Sequence, residues 1–122
     1  MTIQEAIAQI DILKPNGYSD GDKIRWLSTL DGIVKTEIID THTGGGGKFE
    51  GYNEDVDPAT VLLVPAPYSD VYLRYLEAQI DYANGEYAKY NNTVAAYNSA
   101  YSAFERYYNR THMPLGNKFT FF

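Results

Sequence analysis

Residues 73–108 read LRYLEAQIDYANGEYAKYNNTVAAYNSAYSAFERYY, and their spacing decides the fold class. Leu73, Leu76, Ile80, Ala83, Tyr87, Tyr90, Val94, Tyr97, Tyr101, Phe104 and Tyr108 follow one another at alternating steps of three and four. That is a helical seam held in one heptad phase. Asn84-Gly85 interrupts the composition without shifting the phase. A hairpin would not need to keep the phase, so the spacing favours one long helix, straight or bent at Gly85, over two. About forty residues at about 1.5 Å each would span about 60 Å. A small domain cannot cover such a helix, so part of the seam is expected to meet another chain. Within it, Tyr97, Tyr101 and Phe104 are expected to pack best.

Upstream, two shorter helices announce themselves by their caps. Thr2-Ile3-Gln4-Glu5 is a capping box, followed by Ile3, Ile7 and Ile10 at helical spacing, and Lys14-Pro15-Asn16-Gly17 stops the helix near residue 13. Ser19-Asp20-Gly21-Asp22 caps the second, with acids where the helix dipole favours them. Its stripe is Ile24, Leu27, Leu30, Val34 and Ile38, widened by Trp26 and Ile33. Arg25, Ser28, Thr29, Lys35 and Thr36 are expected to face water, and the helix to end near Asp40.

Between the helices, residues 41–66 read as a flexible loop around Gly44–Gly47, since four glycines cannot hold one shape unaided. Val61-Leu62-Leu63-Val64 is a short strand or an apolar plug. Pro67 suits the first turn of the third helix. After Met113-Pro114, residues 113–122 read as an extended tail ending in Phe119, Phe121 and Phe122, too apolar to be left in water. The expected fold is therefore mainly α, a single domain over residues 1–122.

Composition narrows the function classes. The chain has 122 residues, with 10 Lys and Arg against 16 Asp and Glu, a net charge of −6. That balance opposes gripping nucleic acid through its phosphates, though not surrounding DNA without holding it. Cysteine is absent, so no disulfide or thiolate chemistry is available. No apolar run is long enough to span a membrane, and the N-terminus lacks a signal-peptide pattern, so assembly in a reducing cytoplasm is expected. Tyr accounts for 12 residues. Its apolar ring and wet end suit interfaces as well as cores.

Gly47-Lys48 invites a phosphate-loop reading, but His42 stands where the first Gly should be and Phe49 replaces Ser or Thr. Asn53, Asp55 and Asp57 have calcium-loop spacing, yet Pro58 occupies the position that needs Gly. His42 and His112 lack a partner at metal-ligand spacing, and His112 with Arg106 and Arg110 reads as cations at a helix C-terminus. No catalytic residue, cofactor or metal is expected.

Several stretches resemble the small connector (adaptor, head-completion) proteins of tailed bacteriophages and prophages. They are Lys14-Pro15-Asn16, Tyr18-Ser19, Ile24-Arg25-Trp26-Leu27-Ser28, Leu30-Asp31-Gly32, Val64-Pro65, Pro67-Tyr68, Tyr75-Leu76-Glu77-Ala78, Ile80-Asp81-Tyr82, Asn84-Gly85-Glu86, Tyr90-Asn91-Asn92 and Tyr107 through Pro114. They cover nearly the whole chain, and their specificity lies in order and co-occurrence. The resemblance implies a non-enzymatic virion protein forming a ring, usually dodecameric, beneath the portal protein. Such a ring continues the DNA channel and receives a stopper or tail-completion protein. Tyr97, Tyr101, Tyr108, Phe119, Phe121 and Phe122 are the residues expected to contact neighbouring subunits or partners. A different class stays open: a small cytoplasmic regulator or interaction module whose seam forms a two- or four-chain helical bundle.

Overall fold

Both N-terminal helices begin where their capping residues stand. In the computed structural model, which describes residues 1–115, α1 spans Ile3–Leu13 and α2 spans Asp20–Glu37. The Glu5 backbone N–H donates to Thr2 Oγ1 at 3.2 Å and the Thr2 N–H to Glu5 Oε1 at 2.8 Å. Ser19 and Asp22 repeat the reciprocal pair at α2. A 3₁₀ turn over Ile39–Thr41 extends α2, so the regular helix stops three residues before Asp40.

The long helix expected from the seam is two helices, α3 (Asp70–Ala83) and α4 (Tyr87–Thr111). Gly85 ends α3 in the left-handed region, at φ +75°. Its N–H donates to the Tyr82 carbonyl and the Glu86 N–H to the Asp81 carbonyl, both at 3.0 Å. That is a Schellman arrangement, which a glycine adopts without Cβ strain. The chain then folds back on itself. Ring pairs step away from the turn seven residues at a time: Tyr82 with Tyr90 at 5.2 Å, Tyr75 with Tyr97 at 5.1 Å, Tyr68 with Phe104 at 6.0 Å. The α3 rings that meet α4 stand one position off the seam, Tyr75 before Leu76 and Tyr82 before Ala83, while each helix keeps its own seven-residue spacing, so an unbroken seam does not require a continuous helix. Pro67 lies in the turns before α3 rather than in its first turn.

The four helices alternate in direction. An ion pair joins Lys14, at the end of α1, to Asp81, near the end of α3. Tyr101 of α4 bonds Glu37 at the end of α2. α3 sits at the centre and buries Val71, Tyr72, Leu73, Tyr75, Leu76, Ala78, Ile80 and Asp81, whereas α4 buries Phe104 alone. The outer helix is the longer one, and its second half meets Tyr68, Glu37 at the end of α2 and His42 just past the 3₁₀ turn.

Residues 61–64 form the apolar plug rather than a strand. Leu62 and Val64 are buried, and an isolated bridge pairs Thr2 with Val61. Among the described residues there is no strand. Two α2 residues expected in water are not there. Lys35 is 9% exposed. Ser28 is half-buried, its Oγ accepting the Tyr52 N–H at 2.9 Å. Both face the 41–66 segment, which folds over α2 and covers them.

Candidate functional site

Tyr97, Tyr101 and Tyr108 lie on the inward side of α4. Tyr97 packs on Tyr75, and the Tyr101 hydroxyl donates to Glu37 Oε1 at 2.7 Å. Tyr108 stacks on His112 with ring centroids 3.7 Å apart and meets His42 edge-on at 4.9 Å. Burial raises the hydroxyl pKa of Tyr97 and Tyr101 above the usual tyrosine value, with the Glu37 carboxylate adding to it at Tyr101. All three are half-buried within the chain. Phe119, Phe121 and Phe122 lie outside the described residues. The start of the tail docks in cis: the Thr43 N–H donates to the Met113 carbonyl and the Leu115 N–H to that of Thr41.

The outward side of α4 has a different character. Between Lys89 and Glu105 no residue is charged, yet Asn91, Asn92, Ala95, Ala96, Asn98 and Ser99 are exposed. A helix face bathed in water normally carries charged side chains. This one presents small, neutral groups over about four turns. A neighbouring helix can approach such a surface closely without stripping water from an ion. The signal was present in the sequence, on the side of the helix opposite the apolar seam.

Three buried polar clusters hold the bundle and its long loop together. Asp31, fully buried, accepts from the Tyr52 hydroxyl at 2.6 Å, the Tyr72 hydroxyl at 2.5 Å and the Leu63 N–H at 3.1 Å. Burial pushes its carboxyl pKa up, against the three hydrogen bonds that pull it down. Each donor belongs to a segment packed on α2, so the cluster is a clamp. Asp81 pairs with Lys14 and accepts from Thr93 Oγ1 at 3.0 Å, joining α1, α3 and α4. Sequence spacing could not reveal either cluster, because the partners lie far apart in the chain.

The third cluster explains the glycine run. Lys35 pairs with Asp40 and donates to the carbonyls of Gly45, at 3.2 Å, and Gly46, at 2.7 Å. Gly44, Gly46 and Gly47 have positive φ, and a Cβ on Gly45 would meet the Ile39 carbonyl oxygen at 2.5 Å. The loop thus turns carbonyl oxygens toward a cation. A phosphate loop does the reverse, turning N–H groups toward an anion.

The other residues weighed for chemistry are engaged in structure. Asn53 Oδ1 accepts from the Asp55 N–H and Asp57 Oδ1 from the Ala59 N–H, each at 2.9 Å. His42 is buried, with Nδ1 at 2.6 Å from the Ile38 carbonyl and Nε2 at 2.8 Å from Asn109 Oδ1. His112 is brought to 6.4 Å from it, centroid to centroid, though the two are distant in sequence. Among the described residues no group of three or more His, Asp or Glu could hold a metal ion, and no helix is long and apolar enough to cross a membrane. Compared with family models, with curated proteins and with solved structures, the chain matches none.

Proposed function

We propose that this chain is a head–tail connector subunit of a tailed bacteriophage or prophage, a virion protein without catalytic activity. In this reading copies of it form a ring, a dodecamer in the virion, beneath the portal protein. The ring continues the DNA channel and receives a stopper or tail-completion protein. DNA passes through without sequence-specific binding, and the negative net charge of the subunit limits sticking. Assembly takes place in the host cytoplasm, with no membrane involved.

The observation that carries the reading is the outward face of α4. A subunit of a closed ring needs a rigid element that neighbours can approach, and α4 is long, anchored by its inward tyrosines and neutral outside. The resemblance of the sequence to connector proteins supplies the identity of the assembly. A two- or four-chain bundle built on the heptad seam is less well supported, because the α4 part of that seam already packs on α3, Tyr90 on Tyr82 and Tyr97 on Tyr75. Quantitative mass spectrometry of purified particles of the phage encoding the chain tests the reading. The chain should be present at the copy number of the portal protein or a simple multiple of it. Expression in infected cells with absence from finished particles would overturn it.

A further inference from the structure

Two surfaces of different character stand at opposite ends of α2. The first is a groove of about 420 Å³ between α1, the start of α2 and the 54–58 loop. Ile7, Ile24 and Val56 line it with apolar surface, while Asp11, Asp20 and Glu54 supply its acids. Lys23 offsets Asp11 at 2.7 Å, but neither Asp20 nor Glu54 has an ion-pair partner among the described residues. Gly21 lets Glu54 sit close: a Cβ there would lie 2.5 Å from Glu54 Oε1. Asp55 and Asp57, on the same loop, deepen the negative charge.

The second surface is the far end of α4. Arg106 and Arg110 follow at a step of four on the last turns of α4, and Met113 lies just past its end, where the chain is extended. Met113 is 67% and Leu115 55% exposed. No acid occurs from Arg106 to Leu115, and neither arginine has an ion-pair partner among the described residues. Basic side chains beside exposed apolar ones match an acidic groove with apolar walls. The α4 end cannot fill the groove of its own subunit. It docks at Thr41 and Thr43, beyond the last turn of α2, while the groove lies at the first, about 25 Å away along the helix.

We propose that the groove receives the α4 end of a second copy of this chain. Met113 and Leu115 cover Ile7, Ile24 and Val56, and Arg106 and Arg110 face Asp20 and Glu54. The contact is heterologous, with different surfaces on the two copies, so repetition gives a ring where the rotation closes and a filament where it does not. The rim charges chiefly set register and encounter rate, which makes the association sensitive to salt. This adds a second subunit contact to the connector reading, beside the neutral face of α4, and rests on that reading.

Charge reversal on the full chain tests it, with sedimentation velocity as the readout and circular dichroism confirming the fold of each variant. One variant carries Asp20→Lys and Glu54→Lys, the other Arg106→Glu and Arg110→Glu. Each alone should weaken self-association about tenfold or more, a change of about 1.4 kcal/mol. Mixing the two should restore it, because each then offers the surface the other needs. Oligomers that neither variant disturbs would overturn this contact and leave the connector reading standing. A wild-type chain that stays monomeric at every concentration, alone and with portal protein, would overturn both. Should the wild-type groove bind a different basic protein while copies of the chain do not associate, the second copy is the wrong occupant.

Discussion

Lys35 Nζ lies 2.7 Å from the carbonyl oxygen of Gly46. Through that bond, its companion to Gly45 and the ion pair with Asp40, one ammonium group gathers a loop that four glycines would otherwise leave without a preferred shape. Replacing Lys35 with Met keeps the buried stem and removes every one of these bonds. The loss in stability should be about 1–3 kcal/mol by chemical denaturation. Amide exchange across 44–50 should accelerate while α3 is unaffected. Unchanged exchange in the loop would show that Lys35 does not hold it.

Gly45→Ala probes the same loop from the other side. The new methyl would press on the Ile39 backbone carbonyl, which has no freedom to swing away. Gly17→Ala, with open space around the Cβ, is the control and should cost far less. Equal melting temperatures for the two variants would contradict the packing of the loop on the 3₁₀ turn.

Phe104 is the one fully buried residue of α4, touching Tyr68, Tyr107 and Tyr108. Phe104→Ala should cost about 3–5 kcal/mol, the transfer of the ring plus the cavity left behind. A loss under about 1 kcal/mol would mean that α4 does not close the bundle in the free subunit.

The caps at Thr2 and Ser19 were legible in the sequence because their partners are three residues away. The apolar stripes of α1, α2 and α3 were legible for the same reason. The hairpin was not, since a turn at Asn84-Gly85 that preserves heptad spacing gives the same periodicity as a continuous helix. Lys35 sits where the stripe of α2 predicts water, and only the fold of the 41–66 segment buries it. Asp31 is buried under the same segment, where Tyr52 and Leu63 bond to it. Of the residues expected to make contacts, Tyr97, Tyr101 and Tyr108 follow the apolar seam and therefore point inward. The exposed neutral residues of the same stretch, Asn91, Asn92, Ala95, Ala96, Asn98 and Ser99, lie on the opposite side.

Alkali should unfold the protein through its tyrosines. Burial raises the hydroxyl pKa of Tyr72, Tyr52, Tyr97, Tyr101, Tyr75 and Tyr108 in the folded state, with the Asp31 carboxylate adding to it at Tyr72 and Tyr52. In the unfolded chain each returns to about 10. The folded state therefore holds more protons above that pH. The stability these groups contribute is complete below about pH 10 and is lost as pH rises through the folded values. The share of the tyrosinate absorbance that these six rings contribute should appear together with the loss of helical circular dichroism, in one cooperative step. Smooth, independent titration with the helices intact would contradict the burial of these rings.

The central claim is that this chain is a subunit of a larger ring, and native mass spectrometry tests it most directly. The purified chain should be measured alone over a range of concentrations, and then mixed with assembled portal protein. A closed, high-order species of defined copy number is expected, alone or on the portal. A species that remains a monomer, or stops at a dimer or tetramer under both conditions, would contradict the account.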